Sequence, residues 1–268
     1  MPLSRTAVRA LAGACALTLV LAACGGDTED SAEVVDDHDR TTEAVDETTA
    51  STADDDSTIT ATDETTTTEA DDGTEGDPDA VALAQRVNLT LDDLDETWTE
   101  DPAAADDGSP TIDDCFVETD IETVTVGRAK TGTFAYEPSD DAVQLVTMQT
   151  VVLDGPETAT ALVAEFGGDA FATCASGVLR DSFGEGGEAT LALRPDEPAW
   201  TEESTGLVGD LTIPNGDSTF SGVADLHILR TAEVVSFTAT VDVGDVGIEG
   251  LLGQIYATVA ERHATEVG

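Results

Sequence analysis

The stretch "DLHILRTAEVVSFTATV", Asp225 to Val241, decides the fold because apolar residues occupy every second position in both of its halves. Leu226 and Ile228 alternate with polar neighbours in the first half, and Phe237 and Val241 do so in the second half. A two-residue period is that of a β-strand. The stretch therefore predicts a hairpin in a sheet with one apolar face on the core and one polar face in water.

The surrounding sequence adds more strands and several helices. Residues 125–137 and 142–153 predict a second hairpin, and "EATLALR" (188–194) predicts a strand with Leu191 and Leu193 on one face. Thr90 and Thr111 are predicted to cap short helical turns. Helical spacing then marks three buried stripes, namely 159–166, 171–178 and 248–259. Antiparallel strands interrupted by helices predict a single α+β domain over residues 80–268, its largely antiparallel sheet covered by helices.

The N-terminal segment carries a secretion signal. Arg5 and Arg9 precede an apolar run, and residues 1–23 are predicted to be a signal peptide. Leu21-Ala22-Ala23-Cys24 resembles the lipobox of bacterial lipoproteins, in which the cysteine receives a diacylglyceryl group and becomes the first mature residue. Two acyl chains suffice for stable membrane anchoring. The alternative is an ordinary signal peptide cut after an Ala-x-Ala site, with Cys24 left free.

Residues 24–79 are predicted to be a disordered acidic linker. Residues 25–79 contain 21 acidic residues and 14 threonines but no aromatic residue. Such a composition cannot bury enough apolar surface to offset the entropy of folding. The threonine runs resemble glycosylated stalks. The sequence therefore predicts an extended tether between the anchor and the domain, and a domain on the outer face of the cytoplasmic membrane.

The remaining cysteines agree with an extracytoplasmic location. Cys15 belongs to the predicted signal peptide, and Cys24 is the lipid attachment site, so Cys115 and Cys174 remain. In an oxidising compartment these two are predicted to form a disulfide bond, the alternative being two buried free thiols. No Cys-x-x-Cys motif occurs in the sequence, which disfavours a redox or zinc site.

The charge of the chain restricts its partners. The formal net charge is −47, and residues 80–268 alone contain 36 acidic against seven basic residues. Such a surface repels nucleic-acid phosphates and anionic headgroups, so neither is an expected partner. The excess of acid resembles adaptation to salty surroundings, where counterions screen the repulsion.

Catalytic and cofactor motifs are missing from the sequence, which predicts a protein that is not an enzyme and has no cofactor. A serine hydrolase needs a histidine beside its nucleophile. His227 is predicted on the wet face of its strand, and His263 in the last turn of a helix, where a positive charge favours the helix dipole. No nucleophile elbow, Walker loop or zinc-protease motif occurs in the sequence.

Two further groups of residues were considered as binding sites. Asp242, Asp245 and Glu249 are spaced to surround a cation, but acids before a helix N-terminus explain them more simply, so no metal site is predicted. Trp98 and Trp200 are the candidate ligand-binding residues because both lie in acidic, proline-containing loops. The alternative is that the two indole rings are buried for their area alone.

The order of these elements resembles a known group of extracellular domains. The segment "LTLDDLDETWTED", a cysteine after it, a hairpin, "FATCASG" with the second cysteine, and the helix "LLGQIYATVAERH" follow one another. This order is similar to the PknH-like sensor-type domains of actinobacterial lipoproteins and receptor kinases. The resemblance implies a non-catalytic domain that binds an unidentified ligand in a cleft. Kinase-linked members are described with two internal disulfides, whereas this domain can form one.

The function predicted from the sequence is therefore a cell-surface lipoprotein with a non-catalytic sensor or ligand-binding domain. Its ligand would be a small molecule, a glycan or a lipid, and an envelope protein is a possible partner. Two alternatives from other classes stay open. A carrier of apolar lipids would need a large apolar cavity, and an envelope hydrolase would need ionisable groups converging on one pocket.

Overall fold

The computed structural model describes most of the predicted domain, namely residues 75–101, 111–139, 142–195, 198–215, 218–244 and 247–268. The predicted signal peptide (1–23), the lipid attachment site Cys24 and the linker up to residue 74 lie outside the described residues. The description below concerns the described residues alone.

Nine strands form one antiparallel sheet in the described part of the chain. In chain order they are β1 (Glu75–Gly76), β2 (Thr99–Asp101), β3 (Thr125–Lys130), β4 (Thr133–Ser139), β5 (Ala142–Leu153), β6 (Glu188–Leu193), β7 (Glu203–Asn215), β8 (Ser218–Thr231) and β9 (Val234–Val243). The strand order is β1-β3-β5-β9-β8-β7-β6, and β4 pairs with β5 and with β2. The predicted hairpin of Asp225 to Val241 is β8 and β9, at the centre of this sheet.

Five α-helices accompany the sheet in the described residues. They are α1 (Pro78–Val87), α2 (Ile121–Val124), α3 (Pro156–Phe166), α4 (Asp169–Ser182) and α5 (Ile248–Glu266). Two 3₁₀ turns, Leu91–Asp93 and Ile112–Cys115, begin at the predicted caps Thr90 and Thr111, and each cap forms a capping box. The predicted α+β class, with helices over an antiparallel sheet, is confirmed.

Helices α3 and α4 cover one face of the sheet. The predicted stripe of α3 is buried and consists of Ala159, Leu162, Val163 and Phe166. The ring of Phe171 in α4 packs at a tilt against those of Phe116 and Phe166, with centroid distances of 4.7 Å in both cases. A disulfide bond joins Cys115 in the second 3₁₀ turn to Cys174 in α4. This bond, predicted from the sequence, ties the turn onto the helical layer.

Helix α5 covers the opposite face of the sheet, so the prediction of a wet face is wrong. Asp225, His227 and Thr240 point to this face and are 0% exposed. Leu252, Ile255 and Val259 of α5 form a second hydrophobic cluster over these strands. The polar positions of the hairpin therefore face a helix rather than water.

One smaller prediction also differs from the structure. The single strand expected over 125–137 is divided into β3 and β4 at Gly132, where the Asp101 carbonyl oxygen approaches too closely for a side chain. Leu191 and Leu193 are alternate residues of β6, as predicted, and are 6% and 54% exposed respectively. Helix α4 meets β6 at Leu191, whose N–H donates to the Ser176 hydroxyl at 2.9 Å.

Within the described residues, no individual helix is both long and apolar enough to cross a bilayer. The pair α3 and α4, bent by 69° at its junction, reaches the necessary length and composition only when the two are taken together.

Candidate functional site

A cluster of polar side chains lies between the sheet and α5. We call it the α5 cluster and define it as Arg194, Asp225, His227 and Tyr256. Asp225 and His227 are alternate residues of β8 and therefore point to the same face. Tyr256 reaches them from the buried side of α5, and Arg194 follows directly after β6.

Asp225 is the central residue of the α5 cluster. Its Oδ1 accepts a hydrogen bond from the Tyr256 hydroxyl at 2.5 Å, and its Oδ2 forms an ion pair with Arg194. The Asp225 side chain is fully buried, whereas the Arg194 side chain is 25% exposed. The buried negative charge is therefore compensated by a cation that extends to the surface.

His227 completes the α5 cluster and is uncharged at neutral pH. Its ring stacks on Tyr256 with a centroid distance of 4.0 Å and an interplanar angle of 25°. Burial, and secondarily the positive charge of Arg194, lower the pKa of His227 to about 3. The imidazole is a packed aromatic ring here rather than the solvated side chain that the sequence predicted.

The two tryptophans predicted to bind ligand pack against one hydrophobic cluster beneath α5. Trp200 is half-buried and meets Tyr256 edge-on at 6.0 Å between ring centroids. Trp98 is 7% exposed and lies 5.6 Å from the ring of Tyr136. Trp200 thus covers the α5 cluster, while Trp98 lies on the side of β4. Their ligand-binding role stays a prediction.

More polar side chains continue the row along β9. Thr238 is paired in register with His227, and Thr240 with Asp225. Both hydroxyls are buried, and neither has a hydrogen-bond partner among the described residues. A buried hydroxyl without a partner costs about 1–3 kcal/mol, so this row has unused capacity for a polar ligand or water.

Asp242, one of the three acids considered as a cation site, has a helix-start arrangement instead. Asp242 Oδ2 accepts the N–H of Gly247, which precedes α5, at 3.1 Å. Gln144 donates to the same oxygen at 3.4 Å. Asp245 and the side chain of Glu249 lie outside the described residues. In the part of the chain that the structure describes, no three metal-ligating side chains converge.

His263 belongs to a hydrogen-bonded chain at the other end of α5. Its Nε2 lies 2.9 Å from Ser236 Oγ, which lies 3.0 Å from Thr150 Oγ1, and Thr150 donates to Asn88 Oδ1 at 3.2 Å. Burial lowers the pKa of His263 to about 4. The prediction of a positive charge near the helix end is therefore wrong, because the imidazole is buried and neutral.

Ion pairs hold the same end of α5 to neighbouring elements. Arg262 donates to both carboxylate oxygens of Asp93, at 2.6 and 2.7 Å, and so ties α5 to the first 3₁₀ turn. Arg86 of α1 contacts Glu266 at 2.7 Å. Hydrogen bonds between charged groups are shorter and stronger than those between neutral groups, so these contacts fix the position of this helix end.

A separate ionisable group lies on the α3/α4 face. Asp113, in the second 3₁₀ turn, is 3.9 Å from buried Arg128. Burial raises the pKa of Asp113 to about 6, although the positive charges of Arg128 and Lys130 oppose this change. Gln149 also faces this carboxylate and favours its charged form. The group lies beside the disulfide and serves to position the turn.

These arrangements suit binding better than proton transfer to a substrate. Ser236 contacts His263, but both side chains are 0% exposed, so no substrate reaches them. His227 is enclosed in the same way by Tyr256. Arg194 of the α5 cluster and the neighbouring Trp200 are partly exposed, so a molecule in solution can contact them.

Sequence reasoning proposed Trp200 as a site residue but did not propose Arg194, Asp225 or Tyr256. The sequence contained one indication of the missed residues. Tyr256 and His263 fall on the buried stripe of α5 together with Leu252 and Val259. A polar-tipped side chain on such a stripe requires a buried partner. That requirement points to polar residues on the strands beneath.

Comparison with known proteins gives a likeness of fold. No family model and no curated protein matches the chain. The structure is similar to the extracellular domain of PknH from Mycobacterium tuberculosis, with 10% identity and a TM-score of 0.41, over 70% of this chain and 98% of that one. It is also similar to LpqN, involved in cell envelope biogenesis in the same organism, with 8% identity and a TM-score of 0.26, over 62% of this chain and 76% of that one. The predicted resemblance to PknH-like domains is confirmed, and at this identity no residue role is transferred.

Proposed function

We propose that this protein is an envelope lipoprotein whose domain binds a ligand outside the cytoplasmic membrane without chemical turnover. The lipobox at Cys24 and the acidic linker support the display of the domain outside the cell. The disulfide between Cys115 and Cys174 supports an oxidising compartment. The two similar structures come from an extracellular domain and an envelope protein, which agrees with this placement but does not carry it.

The observation that carries the binding role is the arrangement of Arg194 and Trp200 over Asp225. The partly exposed Arg194 guanidinium pairs with the fully buried Asp225 carboxylate, and the partly exposed Trp200 ring contacts Tyr256, which donates to the same carboxylate. A planar hydrogen-bond donor and an apolar ring that share these buried partners are groups that recognise small polar ligands. The buried Thr238 and Thr240 hydroxyls extend the polar surface inward.

The absence of turnover is supported by the placement of the groups with shifted pKa values. His227, His263 and Asp113 are the side chains whose pKa changes most, and each is less than a tenth exposed. Catalytic acids and bases must contact substrate to transfer a proton. Here the shifts follow from packing within the fold, so we assign these residues to structure.

The anchoring part of the proposal predicts a change of location on substitution of Cys24. In the native host, the chain without substitutions is expected to incorporate labelled fatty acid. It should be found in the membrane fraction because two acyl chains hold it there stably. Cys24→Ala should leave the protein unlabelled and outside that fraction. Cys15→Ala, within the signal segment, is the matched control and should behave as the unmodified chain. Membrane retention of Cys24→Ala would contradict the anchor.

The binding part predicts that the full chain, isolated from its host without denaturation, retains a small polar molecule visible by native mass spectrometry. Arg194→Lys should lose this added mass because it keeps the charge beside Asp225 but removes the planar fork. Arg180→Lys is the matched control, since Arg180 is exposed and pairs with neighbouring Asp181. Bare polypeptide, or equal retention in both variants, would contradict the site. A bound apolar lipid that is insensitive to Arg194 would favour the carrier function instead.

A further inference from the structure

Both histidines that the structure describes lie at one interface, between the sheet and α5. His227 approaches from β8, and His263 approaches from α5 itself. Both side chains are 0% exposed. The packing of α5 on the sheet therefore requires both imidazoles to be uncharged, because an isolated buried charge is strongly disfavoured.

The hydrogen-bonded chain beyond His263 has a defined direction. The single proton of the Thr150 hydroxyl goes to Asn88 Oδ1, so Thr150 accepts from Ser236. Ser236 has then given away its own proton and accepts from His263 Nε2–H. His263 Nδ1 is left without a proton, and it is buried with no hydrogen-bond partner among the described residues. Protonation would place an N–H donor and a positive charge at Nδ1, which has no acceptor within the described part of the chain.

The charged groups around His263 do not offset that charge. Asp93 from the first 3₁₀ turn already binds Arg262, and Glu266 of α5 already binds Arg86 of α1. The strands beneath contribute the neutral Ser236 and Thr150. The ion pairs at this end are therefore balanced before His263 is protonated.

The surroundings of His227 oppose a positive charge more directly. Arg194 is a cation on the same cluster, and the Asp225 carboxylate is shared between Arg194 and Tyr256. Thr238 of β9 faces His227 in register but is neutral. Adding a proton to His227 would place two positive charges beside one carboxylate.

The opposite face of the sheet responds to acid in the other direction. One ionisable group on that face, Asp113, has a pKa raised to about 6 by burial, so its protonation below that pH removes a buried charge. The disulfide between Cys115 and Cys174 closes the same layer and does not titrate. Acid therefore weakens the α5 face while relieving a cost on the α3/α4 face.

We propose that α5 is an acid-released element, which separates from the sheet on acidification while the α3/α4 face stays folded. The proton is then itself a signal to which this domain responds. This proposal rests on the proposed function, because a domain outside the cytoplasmic membrane is exposed to pH changes that do not reach the cytoplasm. Release of α5 would expose the Arg194, Asp225 and Trp200 site and so couple pH to ligand binding.

The pH range follows from the two histidines. Their pKa values in the folded protein are lowered to about 3 and about 4, from an ordinary value of 6.5. As the pH falls, the two histidines of the released state, which have the ordinary pKa, therefore bind protons before those of the folded state do. Stability of the α5 interface is complete above pH 6.5 and is lost as pH falls from there through the folded-state values.

Hydrogen exchange measured by mass spectrometry on the full chain tests the proposal. Between pH 7 and pH 4, with intrinsic exchange corrected, peptides from 248–266 are expected to exchange at least about tenfold faster. Peptides from 156–182 are expected to keep their protection. Loss of protection in both regions at one pH would show global unfolding and overturn the proposal, as would unchanged protection of 248–266.

Two variants separate the histidines from other acid-sensitive groups. His263→Gln keeps a donor toward Ser236, and His227→Phe keeps a ring against Tyr256, so neither substitution empties its site. The double variant should shift the release midpoint downward by about one pH unit or more, and His263→Gln alone should give part of that shift. His38→Gln, in the linker, is the matched control and should release α5 as the unmodified chain does. An unshifted midpoint in the double variant would overturn the proposal.

Failure of this proposal is distinguishable from failure of the proposed function. Membrane anchoring and ligand retention are measured at neutral pH, where both histidines are uncharged in the folded protein. An unanchored chain that still releases α5 in acid would contradict only the proposed function. An anchored, ligand-retaining chain with an acid-insensitive α5 would contradict only the acid response.

Discussion

Arg194→Met is expected to destabilise the domain more than Asp225→Asn, although both changes break the same ion pair. Removal of Arg194 leaves the fully buried Asp225 carboxylate without its cation, and breaking a buried pair in this way costs about 4 kcal/mol. Removal of the Asp225 charge leaves Arg194, which is 25% exposed and can be solvated. The asparagine also still accepts from Tyr256, so we expect a loss of about 2 kcal/mol.

Urea unfolding of the two variants at several pH values checks this asymmetry. In Arg194→Met the fully buried Asp225 carboxylate lacks its cation, so the urea midpoint of this variant at pH 8 should lie below that of Asp225→Asn. Tyr256→Phe removes one hydrogen bond to the carboxylate, and Tyr136→Phe, a tyrosine packed against Trp98, is its matched control. Equal losses in Arg194→Met and Asp225→Asn at pH 8 would contradict the burial argument.

Removal of the disulfide is expected to cost about 4 kcal/mol of unfolding free energy. The bond joins residues 59 positions apart, and closing a loop of that size restricts the unfolded chain by about this amount. The paired substitutions Cys115→Ala and Cys174→Ser respect the burial of the first site and the partial exposure of the second. The urea midpoint of this variant should fall accordingly.

The unmodified chain treated with reductant is the control for this measurement. Its urea midpoint should match that of the double variant, because both lack the same covalent link. A midpoint that does not move on reduction would show that the link contributes nothing to stability. A loss confined to the double variant would assign the effect to side-chain packing.

The sequence predicted those parts of the fold that depend on local pattern. Alternation from Leu226 to Val241 identified the central hairpin, and helical spacing identified the buried stripe that ends at Phe166. Thr90 and Thr111 were recognised as caps because a hydroxyl at such a position bonds the backbone of the next turn. Each of these features is determined within a few neighbouring residues.

The covered face could not be predicted from the hairpin alone. Asp225, His227 and Thr240 alternate with apolar residues in the manner of a solvated face. Polarity of a side chain shows that it needs hydrogen bonds, but not whether water or another side chain supplies them. In this fold Tyr256 and Arg194, which are distant in sequence, supply them for Asp225. The candidate site was therefore missed because its partners meet only in three dimensions.

The central sheet separates the hydrophobic core beneath α3 and α4 from two smaller hydrophobic cores on its opposite face. Side chains from alternate strand positions enter the core on one face or those on the other, and no buried residue belongs to more than one core. Substitutions with no shared neighbours usually have additive effects on stability. Substitutions beneath α5 can therefore accumulate, during evolution or in a designed library, while the core on the opposite face of the sheet stays unchanged. A new ligand specificity could thus be selected beneath α5, while the core beneath α3 and α4 retains enough stability for the fold to tolerate the substitutions.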